Sequence, residues 1–206
     1  MQVSGQVRLS ATDLACRRGE RVLFRGLNLD VSSGQALHIA GANGIGKTSL
    51  LRILAGLLSP FAGSVESEGA IGLLDEKPGL DPELPLRKAL AFWEQIDGCG
   101  QPSGAHKAMG LEPLFDVPLR YLSTGQRKRA AMASLLNRAA PIWLLDEPLS
   151  GLDTKAIEQV TALIALHVSG GGLAIVASHQ PLEIPDLSVL ELADYLPTSE
   201  QTEKVA

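Results

Sequence analysis

The chain predicts an α/β fold: a mostly parallel sheet, an antiparallel β-layer at the N-terminus, and a short helical insertion. Three observations carry this. Ala36 to Ala40 (ALHIA) is a short apolar run that opens into a glycine-rich loop and then an amphipathic helix. Ile142 to Asp146 and Leu173 to Ser178 are two further apolar runs, each followed by polar residues. Between the two strand–loop–helix units, from about 81 to 139, the pattern is mainly helical.

Along the chain, Gln6 to Leu14 alternates partly and Arg21 to Val31 more clearly. Both are expected as antiparallel strands around a Gly19-Glu20 turn. Ala36 to Ala40 is a buried strand, and Thr48 to Leu58 a helix stopped by Ser59-Pro60. Ser64 to Glu66 and Ala70 to Leu74 are expected to pair as a hairpin. Asp75 to Pro85, rich in Pro and Gly, is loop. Leu86 to Ile96 predicts a helix, Gly98 to Gly104 a link, and Ala105 to Leu114 a short helix. Ser123 to Ala139 predicts a longer helix, with Ser123 as N-cap and Pro141 just beyond its end. Thr154 to His167 is a helix ended by Gly170 to Gly172, and Ser188 to Leu192 a last strand. Pro197 to Ala206 reads as a polar, frayed tail. The whole, 1–206, is read as a single domain.

Composition narrows the class. With 45% hydrophobic and 20% charged residues, the chain is ordinary for a soluble globular protein. A net charge of −5 argues against a broad nucleic-acid surface. The basic run Arg127, Lys128, Arg129 reads as a solvated helix face. Cys16 and Cys99 lack CxxC spacing and read as free thiols. No stretch looks like a signal peptide or approaches the ~18 apolar residues of a membrane span. A membrane role would therefore run from the cytoplasmic face through a partner.

The chemistry concentrates in four places. Gly41, Ala42, Asn43, Gly44, Ile45, Gly46, Lys47 and Thr48 fit G-x-x-x-x-G-K-[ST] in full. Such a loop curls backbone N–H groups around a phosphate at a helix N-terminus. Lys47 places charge on the β and γ phosphates, and Thr48 offers a hydroxyl to Mg²⁺. The run IWLLDEP ends in two carboxylates that a strand buried on both faces would not hold without partners. Asp146 would hold the Mg²⁺ shell, directly or through water, and Glu147 would polarise the attacking water. His179, after the neighbouring strand, is a candidate for the γ-phosphate, while His38, His106 and His167 read as structural. Finally, LSTGQ (Leu122 to Gln126) lies about 75 residues after the phosphate loop and about 20 before the carboxylates. Ser123, Gly125 and Gln126 at a helix start make either an ordinary N-cap or a second anion site. If the latter, two copies head to tail would place each LSTGQ on the other's γ-phosphate.

Taken together these residues resemble the nucleotide-binding subunits of ABC transporters over nearly the whole chain. GANGIGKT looks like the Walker A loop, LSTGQ the signature, IWLLDEP the Walker B strand, SGLD (Ser150 to Asp153) the D-loop and His179 the switch histidine. The resemblance implies a P-loop ABC ATPase core with a short helical subdomain. It also implies ATP and Mg²⁺ as ligands, a homodimer, and hydrolysis coupled to integral membrane permease subunits. More narrowly, the opening CRRGERVLFRGLNLDV and the segment SHQPLE (Ser178 to Glu183) are similar to the ATPase subunits of the cytochrome c maturation (haem exporter) system. That likeness implies a peripheral place on the cytoplasmic face of the bacterial inner membrane and a role in haem handling. Two departures stand out. The Gln that usually follows the strand at Ala70 to Leu74 is absent, with Glu76 or Lys77 in its slot. Arg17 and Arg18 stand where an aromatic usually meets adenine.

Overall fold

The computed structural model describes residues 7–75, 79–96 and 104–197. Two sheets organise them. In the first, β1 (Arg8–Arg18) pairs antiparallel with β2 (Arg21–Ser32) on one side and β4 (Ala62–Glu68) on the other. The second contains five parallel strands. Their order is β5 (Ile71–Leu74), β6 (Ile142–Asp146), β7 (Leu173–Ala177), β3 (Ala36–Ala40), β8 (Ser188–Glu191).

Strand alternation explains how this second sheet sits. Ile142 and Leu144 enter one apolar cluster with Leu37, Ile39, Leu173 and Ile175. Trp143 and Leu145 enter another with Ala174 and Val176. Side chains alternate faces with period two, so a run apolar at every position needs cover on both sides. The helix α1 (Lys47–Leu54) and the antiparallel sheet cover the first face. The helices α2 (Leu86–Ile96), α4 (Thr124–Asn137) and α5 (Thr154–Ser169) cover the second.

Two expected elements are corrected. Ser64–Glu66 and Ala70–Leu74 do not form a hairpin. β4 joins β1, with Val65 opposite Ala11, while β5 joins β6 in parallel, with Leu73 opposite Leu144. Burial explains the split: β4 is exposed almost throughout and forms an edge, whereas β5 buries Leu74 in the core. The helix expected over Ala105 to Leu114 is one α-helical turn, α3 (Ala105–Ala108), followed by a 3-10 turn at Glu112–Leu114. Gly110, at φ 62°, and Pro113, which has no N–H to donate, prevent continuation. Glu76 and Lys77, Cys99, most of the expected link and all but the first residue of the expected tail lie outside the described residues. Cys16 is a buried free thiol, its pKa pushed up by burial.

Candidate functional site

β6, β7 and β3 are neighbours, so their C-terminal ends open side by side. In parallel α/β sheets this edge is where ligands bind. β3 runs into 41–48, β6 into Asp146 and Glu147, and β7 into Ser178 and His179. The strand leading to His179 thus lies between the other two.

The loop is shaped by its backbone conformation. Gly46 has φ 124°, and a Cβ there would stand 3.4 Å from both Leu23 Cβ and Phe24 Cδ1. It is that φ, not the contact, which calls for glycine where the chain passes over β2 and turns into α1. Lys47 is buried. Its ammonium donates to the Gly41 carbonyl at 2.7 Å and the Ala42 carbonyl at 3.3 Å, across the mouth of the loop. Ala42, Asn43 and Gly44 form the exposed outer curve, and the Ile45 amide donates back to Ala42 at 3.3 Å.

Thr48 bridges from α1 to the end of β6, its hydroxyl donating to Asp146 Oδ2 at 2.7 Å. A hydroxyl and a buried carboxylate side by side are hard oxygen donors, which suits Mg²⁺. Among the described residues no cluster of three His, Cys, Asp or Glu is arranged to hold a metal. A cation at Thr48 and Asp146 would therefore complete its shell with phosphate oxygens and water.

Glu147 has φ 46°, the left-handed region, which costs a non-glycine residue roughly 1–2 kcal/mol. Several contacts hold it there. Its amide donates to Ala177 O at 2.8 Å, and its carbonyl accepts from the Ser150 amide at 3.2 Å and from the Lys128 ammonium. At about 1 kcal/mol each, these bonds offset the strain. The result aims the side chain at the sheet edge. Oε2 accepts from His179 Nδ1 at 2.8 Å, and Oε1 lies 3.6 Å from Lys47 Nζ. The end of β7 is fixed in turn by His38, whose buried ring places Nε2 3.0 Å from Ser178 O.

Ser123 caps α4 as expected, in a full capping box. The Gln126 amide donates to Ser123 Oγ at 3.2 Å and the Ser123 amide to Gln126 Oε1 at 2.8 Å. Gly125 is required by packing as well, since a Cβ there would stand 2.8 Å from the Gly151 carbonyl. Asp153 caps α5, accepting from the Ala156 amide at 2.8 Å. The reading of 127–129 as a solvated face is corrected. Arg127 is exposed, but Lys128 and Arg129 are half-buried and donate to the carbonyls of Glu147 and Met109. Gly125 and Lys128 are three apart, hence on one helix face, and both meet 147–151. No local pattern marks Lys128, because its partner lies 19 positions away. Arg17 carries its guanidinium over the Phe61 ring, 4.5 Å from the centroid.

The predicted residues therefore fall into two groups. Thr48 bonds Asp146, and Glu147 lies between Lys47 and His179, both sets at one sheet edge. Ser123, Gly125 and Gln126 stand at the start of α4, which meets 147–151 at Gly151 and through Lys128.

Comparison with known proteins agrees with this anatomy. The ABC transporter family matches residues 24–150. The cytochrome c biogenesis ATP-binding export protein CcmA of Novosphingobium aromaticivorans is 56% identical over 189 residues, which is 92% of this chain and 97% of that protein. Its counterpart from Zymomonas mobilis is 46% identical over 199 residues, 96% of this chain and 90% of that one. Among solved structures, an ABC transporter ATP-binding protein from Pyrococcus furiosus superposes with a TM-score of 0.78 at 24% identity, covering 92% of this chain and all of that one. A dimeric, post-hydrolysis form of the ATP-binding cassette MJ0796 with ADP and Pi gives 0.74 at 24% identity, over 84% of this chain and 88% of that one. The structural likenesses speak to the fold; the family match and the relatives carry more. The chain belongs to the family of ATP-binding, ATP-hydrolysing ABC transporter subunits and, within it, groups with the cytochrome c biogenesis ATP-binding export proteins.

Proposed function

We propose that this chain is the energy-coupling ATPase of a complex in c-type cytochrome biogenesis. It works as a homodimer on integral membrane permease subunits, at the cytoplasmic face of the bacterial inner membrane, with haem as the handled species. The observation that carries the catalytic part is Glu147, placed between His179 and Lys47 beside the Thr48–Asp146 pair. The pathway is supported by the names of the relatives that match nearly the whole chain. Among the described residues no helix is long and apolar enough to cross a membrane. Attachment through membrane partners belongs to the proposal.

The residues divide the work. Lys47 and the amides of 41–48 bind the β and γ phosphates and fix their orientation. Mg²⁺, held by Thr48 and Asp146, would neutralise charge on those phosphates. Glu147 orients water and takes up its proton. His179 directs Nδ1–H at Glu147, which leaves Nε2 as the ring atom for the γ-phosphate. Ser123, Gly125 and Gln126 of a second copy would close the site from the other side. There the Thr124 and Gly125 amides and the Ser123 hydroxyl proton can meet a phosphate, the Gln126 amide being taken by the capping box.

Replacing Glu147 by Gln tests this. Turnover is expected to fall by about 100-fold or more while ATP affinity holds, so an ATP-bound dimer accumulates on size exclusion. Parental turnover in that variant would remove Glu147 from its role. Recovery of haem-handling membrane proteins with the tagged chain tests the pathway, and their absence would count against it.

A further inference from the structure

Lys128 is a half-buried cation whose ammonium donates to the backbone carbonyl of Glu147. A cation near a helix start gains nothing from the helix dipole, so its placement needs another cause. The peptide it grips has the left-handed φ of 46° and is also held by Ala177 and by the Ser150 amide. Of these holds, only that of Lys128 comes from α4, the helix that begins with Ser123 to Gln126. One turn earlier on the same face, Gly125 lies against the Gly151 carbonyl. α4 is thus docked along 147–151 at two points.

We propose that Lys128 is a positioning residue for ATP hydrolysis. It keeps the Glu147 carboxylate in register with the phosphate loop and makes that register depend on where α4 sits. In a homodimer, α4 of one subunit meets the nucleotide held by the other. Its Lys128 meanwhile steadies the base that acts on its own nucleotide. The two ATP sites are linked through this ammonium. The inference rests on Glu147 as the base and on the start of α4 as the contact to the second nucleotide. A displacement of about 1 Å at a reacting group costs roughly 100-fold in rate, so a single backbone hold is enough to matter.

The test is steady-state ATPase of the full chain, co-extracted with its membrane partners, carrying Lys128→Met, Lys128→Gln or Lys128→Arg. Expected for Met and Gln are a kcat at least about tenfold lower, a KM for ATP within about twofold of the parent, and a Hill coefficient moved toward one. Arg, which restores a long cationic donor, should return kcat to within about threefold of the parent. In a Glu147→Gln background, Lys128→Met should still form the ATP-bound dimer, because closure uses Ser123 and Gly125. Melting curves show whether Met folds, and Gln, which keeps a polar tip, carries the comparison if it does not. Parental kcat in Met and Gln overturns the proposal. Loss of the ATP-bound dimer does so too, since Lys128 would then brace α4 alone. Parental hydrolysis by Glu147→Gln on its own would instead remove the reading of Glu147, so the two failures are distinguishable.

Discussion

The two ends of the five-stranded sheet treat polar groups in opposite ways. At the C-terminal end, Thr48 bonds Asp146 and Glu147 lies between Lys47 and His179, and the Glu147 and His179 side chains stay partly open to solvent. At the N-terminal end, His167, the one histidine on α5, is half-buried and engaged in structural contacts. Its ring stacks on Trp143 at 3.8 Å with planes 6° apart, and Nε2 lies 3.2 Å from the carbonyls of both Pro141 and Leu173. The first arrangement keeps charges where a ligand can use them. The second spends a titratable ring on holding α5 to the sheet. Changes at the first end should therefore act on turnover and changes at the second on stability.

Lys47→Ala is the strongest way to break this contrast. Its ammonium reaches two loop carbonyls and Glu147, so its loss removes both the phosphate charge and a neighbour of the base. ATP binding or turnover is expected to fall by about 100-fold or more. Folding stability should fall by no more than about 1.5–3 kcal/mol, the worth of a hydrogen bond from a charged donor. A variant that hydrolyses ATP normally would refute the phosphate-loop assignment. One that fails to fold would show the C-terminal end to be structural.

Gly125→Ala lies between the extremes. The added methyl would meet the Gly151 carbonyl at 2.8 Å, so α4 must shift against 147–151. Overpacking of this kind costs about 1–3 kcal/mol. Nucleotide binding to the phosphate loop should stay within about twofold, while turnover falls roughly tenfold because the start of α4 and the Glu147 segment move together. Turnover at the parental rate, with the same loss of stability, would separate the helix from catalysis.

Most of the C-terminal end was legible because its residues are bound by local pattern. A glycine loop needs its spacing, and an apolar strand ending in Asp146 and Glu147 has nowhere else to put them. The contacts that were missed join residues far apart in the chain. The partner of β4 depends on which sheet has an open edge, which no local pattern shows. The capping role of Ser123 followed from its neighbours, but the reach of Lys128 to Glu147 spans 19 positions. His167 reads as structural, and its stack on Trp143 depends on how α5 lies over β6.

That stack leads to the smallest effect. Burial pushes the His167 pKa below its usual value, only partly opposed by the two carbonyls beside it. The folded protein therefore keeps the ring neutral where the unfolded chain would protonate it. The stabilising difference is complete above the ordinary histidine value of about 6.5 and is lost progressively as pH falls below it. A chain of this size moves its melting temperature by about 2–4 °C per kcal/mol, so an effect of a few degrees is expected between pH 7.5 and 5.5. His167→Gln, which keeps a polar group near the carbonyls but cannot take up a proton, should melt with a flatter pH dependence. Its ATP turnover at neutral pH should match the parent, because nothing at the C-terminal end touches it. Parallel melting curves for the two proteins would show that the ring titrates alike in both states. A loss of turnover would show that the two ends of the sheet are not separable.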